Sequence, residues 1–199
     1  MIPSQIRQFI EKFSRLPSIG PRLATRLSFY ILGLSKAERQ ELELALRGLN
    51  TLDRCPRCFF LKSENKPLCD ICADPRRNPA VIAIVEKETD ILSLERAHKF
   101  NGNYLILGDL PEKGTLETVH RSRLQHLKTR IESELNGKAK ELIIALNPTT
   151  FGDFVASIVK QDFKNHTENI TRLGRGIPTG GEIEFADEET LGSALERRM

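Results

Sequence analysis

The 199-residue sequence contains no apolar run long enough to cross a membrane and no apolar leader-like stretch at its start. A membrane-embedded or exported protein is therefore not expected, and the expected compartment is the cytoplasm. No GxxxxGK[ST] phosphate loop is present, so nothing points to Walker-type ATP hydrolysis. Internal repeats and low-complexity segments are absent, which excludes a repeat array. Neither sign of charge dominates: 30 bases against 27 acids give a net charge of +3, too balanced to imply nucleic-acid binding by itself. Tryptophan is missing, and that excludes nothing. Cysteine occurs only four times, at Cys55, Cys58, Cys69 and Cys72, and these four carry the most information in the chain.

Their spacing is CxxC, ten residues, CxxC. Pro56, Pro67 and the basic residues between them predict loops rather than a helix or strand. Two such knuckles can present four thiolates to one tetrahedral ion, and an all-sulfur donor set favours zinc. Such a shell is closed, leaving no open position for water or substrate, so the site is expected to be structural. The alternatives are two disulfides, disfavoured in the cytosol, or a redox-active CxxC pair. Arg54, Arg57, Lys62, Lys66, Arg76 and Arg77 surround the cysteines in sequence, either to neutralise the thiolates or to face an anionic partner.

The cysteine loop divides the chain into a smaller N-terminal and a larger C-terminal part. In the first, Ile2, Ile6, Phe9, Ile10, Phe13 and Leu16 recur at helical spacing and Pro17 stops the helix. A second helix begins at Pro21 in the favoured first-turn position and runs through Leu23, Leu27, Tyr30, Ile31 and Leu34. A third starts after Ser35, with Glu38 completing a capping box, and is expected to carry Leu42, Leu46 and Leu49 toward a core. Charge is uneven here: Arg7, Lys12, Arg15, Arg22 and Arg26 face the single acid Glu11 over residues 1–34.

The stretch Leu16 to Leu27 resembles a helix-hairpin-helix, in which a glycine-bearing hairpin brings backbone N–H groups to a DNA phosphate. Arg22 and Arg26 lie four apart, on one helix face, within reach of neighbouring phosphates. Such contacts read backbone rather than sequence. An ordinary tight helix connection with a solvated basic face is the alternative. One departure stands out, Ser18 where the motif usually has glycine.

From Ala80 the texture becomes β-α-β-α. Ala80–Val85, Asn103–Leu107 and Glu141–Leu146 read as buried strands, with a fourth over Ile170–Leu173. Helices are expected over Thr89–Ala97, from Leu116 to Leu135, and over Gly152–Phe163. This alternation predicts a parallel sheet with helices on its faces and functional groups at the strand C-termini. Glu86 follows the first strand and Asp109 the second. Their placement resembles a Toprim domain, in which a glutamate and an Asp-x-Asp pair hold Mg²⁺ for phosphoryl chemistry. Here the pair is replaced by Asp109-Leu110-Pro111, so one carboxylate is missing and the acidic site is expected to be vestigial. Helix caps or solvated loop acids are the alternative for both residues.

Taken together, the hairpin, Cys55-Pro-Arg-Cys58, Leu68-Cys-Asp-Ile-Cys72, Val81-Ile-Ala-Ile-Val-Glu86, Asn147-Pro-Thr149 and the segment Thr171 to Leu191 resemble the RecR family of bacterial recombination mediators. The resemblance runs over nearly the whole chain. It implies an α/β protein with a helix-hairpin-helix unit over residues 1–53, a four-cysteine zinc finger over 54–78, a Toprim domain over 79–173, and a C-terminal Walker B-like motif and helix over 174–199. It implies one structural zinc per chain and no enzymatic activity. It also implies an oligomeric DNA clamp, a dimer or ring tetramer, that acts with RecO and possibly RecF to help load recombinase onto single-stranded or gapped DNA. DNA contacts map onto Gly20, Arg22 and Arg26, without sequence specificity, and nucleoid association follows. A Mg²⁺-dependent Toprim nuclease or primase-related enzyme is the main alternative; a zinc protein of another assembly would leave the hairpin unexplained. Two departures fall on the surface where the family docks RecO: Thr150-Phe151-Gly152-Asp153 for a Thr-x-Glu-Gly-Glu pattern, and Tyr104-Leu-Ile-Leu-Gly-Asp109 for Tyr-His-Val-Leu-Gly-Gly.

Overall fold

The computed structural model describes residues 2–110, 115–196 and 198. The chain divides into two compact units, one ending at Asp53 and the other beginning at Arg54.

The first unit is helical: α1 (Ser4–Phe13), α2 (Pro21–Gly33), α3 (Lys36–Gly48) and a short 3-10 turn. Local signals set each boundary. Pro21 occupies the first turn of α2, where its missing N–H is no loss. Ser35 caps α3 reciprocally with Glu38: the Ser35 hydroxyl accepts from the Glu38 N–H at 3.2 Å, and the Ser35 N–H donates to the Glu38 carboxylate at 2.8 Å. Leu42, Leu46 and Leu49, expected to face a core, are exposed. The periodicity marks an apolar face correctly, but no described residue of this unit covers it.

Around the start of the second unit, short strands β1 (Leu52–Arg54) and β2 (Leu61–Ser63) bracket the first cysteine knuckle, and a one-turn helix α4 (Asp70–Ala73) carries the second. Cys72 thus lies within a helical turn rather than on the expected loop. The backbone folds back on itself to bring Cys72 beside Cys69, whose sulfur accepts from the Cys72 N–H, and one α turn is the compact way to do it.

A four-stranded sheet follows, with β3 (Asn78–Val85), β4 (Gly102–Ile106), β5 (Ala139–Ala145) and β6 (Thr167–Arg172) in the order β4-β3-β5-β6. All three pairings are parallel, with Val85 opposite both Ile106 and Ala145. The strands alternate with α5 (Glu88–Arg96), α6 (Thr118–Glu134) and α7 (Thr150–Phe163). Leu116, expected in the long helix, precedes it. The central strand β3 is buried on both faces. Ile82 and Ile84 pack with Leu127, Ile131 of α6 and Val155, Val159, Phe163 of α7. Ala83 and Val85 pack on the other side with Ile91 of α5 and with Phe59, Phe60 and Ile71 of the cysteine loop. The run of β-branched residues in β3 is the sequence signature of this two-sided burial. A 3-10 turn and α8 (Glu188–Glu196) complete the unit.

Candidate metal centre and nucleic-acid interface

The cysteine loop is built by tight backbone turns. The Cys55 N–H donates to the Phe60 carbonyl at 2.7 Å, and the Phe59 N–H donates back to the Cys55 carbonyl at 2.9 Å. Phe59 takes a left-handed conformation, with φ of 65°, to close the turn. All four cysteines are buried, and their Sγ atoms lie within 4.8 Å of one another. A tetrahedral ion with Zn–S bonds of about 2.3 Å would hold sulfurs about 3.8 Å apart, so the cluster fits one metal ion. The thiols are free; Cys58 and Cys69, at 3.4 Å, are well beyond a disulfide bond. Backbone N–H groups of Phe60, Cys69 and Cys72 donate to the sulfurs of Cys58, Cys55 and Cys69 at 3.4, 3.5 and 3.4 Å, which favours the thiolate form. Four thiols this close cannot all ionise unaided. Contact with Cys58 holds the Cys55 thiol low, and contact with Cys55 pushes the Cys58 thiol up.

Beside the cluster lies Arg130 of α6, its side chain only 4% exposed. Its Nη1 donates to the Arg57 carbonyl at 3.2 Å, inside the first knuckle. Burial pulls its guanidinium below the ordinary value, and the Cys72 charge opposes that fall.

Because all four strands of the large sheet are parallel, their C-terminal ends form one edge, where Glu86, Asp109 and Asn147 meet. The Glu86 carboxylate accepts from the Leu110 N–H at 3.2 Å and from the Asn147 amide at 2.5 Å, so both its oxygens are engaged. Asp109 is exposed, and its backbone carbonyl faces His120 Nε2 at 3.0 Å. His120 Nδ1 accepts from the Glu117 N–H at 3.1 Å, which leaves Nε2 to donate to the Asp109 carbonyl. Gly108 reaches this edge with φ of 108°, a conformation that glycine adopts without strain. Pro111, where the second member of the acidic pair would stand, lies outside the described residues.

Next to these acids, Arg172 donates to Asp153 at 2.5 Å; Arg175 grips the same carboxylate and lies 3.4 Å from Glu189 of α8. Their guanidinium groups, Arg175 first, hold the Asp153 carboxyl below its usual range. A cavity of about 290 Å³ opens here, lined by Asp90, Asn147, Pro148, Arg172 and Arg175 among others.

In the helical unit, Gly20 is the N-cap of α2, and no side chain caps it. A Cβ at Gly20 would meet nothing within 4 Å, so the space above this helix end is open. Arg22 and Arg26 are exposed, and neither makes an ion pair with another described residue. Ser18, standing where the hairpin motif usually has glycine, adopts the glycine-like conformation with φ of 62°.

Comparison with known proteins resolves the architecture. Family models match in order: "RecR, helix-hairpin-helix" at residues 6–49, "Toprim domain" at 80–174 and "RecR, C-terminal" at 176–199. Curated relatives named "Recombination protein RecR" include one from Chloroflexus aggregans, 38% identical over 100% of this chain and 95% of its own length. Those from Rubrobacter xylanophilus and Clostridium perfringens are 39% and 37% identical, over 97% and 98% of this chain and 95% and 96% of their own lengths. The chain belongs to the RecR family.

As a RecR protein it is a recombination mediator in DNA repair. The RecR helix-hairpin-helix match contains Gly20, Arg22 and Arg26, the Toprim match contains Glu86 and Asp109, and the cysteine cluster falls between the two. Sequence reasoning missed Asn147 as the partner of Glu86, although the Asn-Pro-Thr motif following a strand was a usable signal. It also missed Arg130, which reads as one more base on a polar helix. Nothing in local spacing distinguishes it from a solvated residue.

Proposed function

We propose that this RecR protein is a non-catalytic DNA-binding mediator that assembles with copies of itself into a clamp and, with RecO- and possibly RecF-type partners, helps load recombinase onto single-stranded or gapped DNA. The observation that carries the DNA-binding part is the open, uncapped start of α2, with Gly20 at its tip and the exposed pair Arg22 and Arg26 on its first turns. Unpaired amide donors, the positive end of the helix dipole and two guanidinium groups make a phosphate site blind to base sequence. Self-assembly is supported by the uncovered Phe29, Tyr30, Leu44 and Leu46 of the helical unit. Cytoplasmic, nucleoid-associated action goes with this role, as does the division into residues 1–53, 54–78, 79–173 and 174–199.

One zinc per chain is the metal of this reading, held by Cys55, Cys58, Cys69 and Cys72. Four sulfurs fill its coordination, so what it supplies is folding free energy rather than chemistry. Against turnover stands the engagement of both Glu86 oxygens by protein groups, which leaves neither of them free to face a hydrated ion. Phosphoryl-transfer sites need several carboxylates free to face hydrated Mg²⁺.

Titration of single-stranded and gapped DNA at several salt concentrations tests the reading. The Arg22→Ala/Arg26→Ala double variant is expected to bind more weakly to all sequences alike, and its salt slope to fall by about one unit or slightly less per lost contact. Unchanged affinity and slope would move the DNA path elsewhere. Metal-dependent cleavage or synthesis by the wild type that disappears in Glu86→Gln would replace the mediator reading with an enzymatic one.

A further inference from the structure

Among the described residues Arg130 is the least exposed charged one of the large unit, and no acid among them satisfies it fully. Its nearest carboxylate, Glu134, stands 3.8 Å from Nε and is shared with Arg57, which it meets at 3.2 Å. Within hydrogen-bonding distance Nε has no partner among the described residues. What the guanidinium does hold is the Arg57 carbonyl, the backbone between Cys55 and Cys58. Arg57, Arg130, Glu134 and His126 line a cavity of about 310 Å³ against the knuckle. A buried cation is costly unless an opposite charge compensates it, and one shared carboxylate at the limit of ion-pair range does not. The remaining source of negative charge nearby is the sulfur cluster. Four thiolates around a divalent ion carry a net negative charge, whereas four thiols carry none.

We propose that Arg130 is the positioning and charge-compensating residue of the cysteine centre, fixing the first knuckle through the Arg57 carbonyl and offsetting the negative charge of the metal-loaded thiolates from helix α6. The inference rests on the metal reading above. Arg130 is no ligand; it acts through the ligands. Metal loading thereby compensates a cation seated in the wall of the sheet domain, so the state of the loop is felt by α6. None of the bases flanking the cysteines in sequence has comparable burial beside the sulfurs.

The test uses the full chain. Metal content of the purified wild type comes first: protein without metal overturns the metal reading and this one with it. Given a loaded wild type, zinc affinity is measured by competition with a chromophoric chelator, and the cobalt-substituted protein reports thiolate geometry through its charge-transfer and ligand-field bands. Arg130→Met is expected to weaken metal binding tenfold or more and to shift the cobalt spectrum, while Arg130→Lys, which keeps the charge, recovers part of the affinity. Glu134→Gln separates charge compensation from mere propping. Removing a competing negative charge should leave metal binding as tight as in the wild type or tighter, even as the loss of the Arg57–Glu134 pair lowers thermal stability. Wild-type affinity and spectrum in both Arg130 variants would overturn the proposal. Should Arg130→Met fail to fold, Glu134→Gln decides: weakened metal binding in step with stability would reduce Arg130 to a structural prop.

Discussion

The two units of this chain are held together by different means. In the helical unit the described buried residues are Ala24 and Ser28 alone, while Phe29, Tyr30, Leu32, Leu44, Leu46 and Leu49 remain more than half exposed. In the sheet unit the central strand is sealed on both faces and the cysteine loop packs its own phenylalanines against it. Caps and turn residues, which act within a few positions, therefore define the first unit. Burial between residues far apart in sequence defines the second. The difference teaches that clear helix signals do not guarantee a self-sufficient core: the α3 leucines form a stripe whose cover is not within the unit.

The largest break in this contrast is expected at the proposed metal centre. Cys72→Ser removes one ligand of a site whose binding contributes on the order of 10 kcal/mol to folding, and should leave the loop unfolded and the protein without metal. Metal analysis together with thermal unfolding checks it; a stable, loaded variant would mean that three sulfurs suffice. Next comes the sheet core. Ile84→Ala deletes a fully buried side chain and should cost about 2–5 kcal/mol in denaturant unfolding, all of it in the sheet unit. An equal loss of helical-unit signal would show that the two units unfold together.

A smaller effect is expected from the local device. Ser35→Ala opens the capping box of α3 and should cost about 1 kcal/mol, read as reduced helicity in the first unit with the sheet unit untouched. The smallest concerns Asp153. Its pKa is depressed in the folded chain by Arg175 and Arg172, so its contribution is present above the ordinary carboxylate value of about 3.9 and is lost as pH falls through the folded value. Because the pair is partly solvated, the effect is modest. Urea midpoints at pH 6 and pH 3 should differ less in Asp153→Asn than in the wild type.

Much of the fold is legible in the residues because the first three strands of the sheet contain short apolar runs and helices α2 and α3 carry start signals. Val81 to Val85 could be little else but a buried strand. The fourth strand begins earlier than its apolar residues suggest, at Thr167, because its first half is polar: Thr167 is buried, and Glu168 and Asn169 are exposed. The clustering of the four cysteines was legible from spacing alone. The Glu86–Asn147 bond was not, because it joins residues 61 positions apart that only the parallel topology brings to one edge. Arg130 was hidden for a related reason: whether a base is solvated or buried is decided by the loop that packs over it, far away in the chain.

The cysteine knuckle also has a role as a guard. In a sheet ordered β4-β3-β5-β6, β4 is an outer strand whose free side offers unpaired backbone groups to any passing extended chain. Here that side is closed off. The Ile106 N–H donates to the Cys58 carbonyl at 2.9 Å, the Ile106 carbonyl accepts from Arg123 at 3.1 Å, and the Gly102 carbonyl accepts from Arg77 at 2.9 Å. A loop kept in shape by its sulfur cluster thus blunts one margin of the sheet. With a metal held there as proposed, stripping it should do more than loosen a domain: it should bare a sticky strand, so that chelated protein clumps through edge-to-edge pairing before it melts.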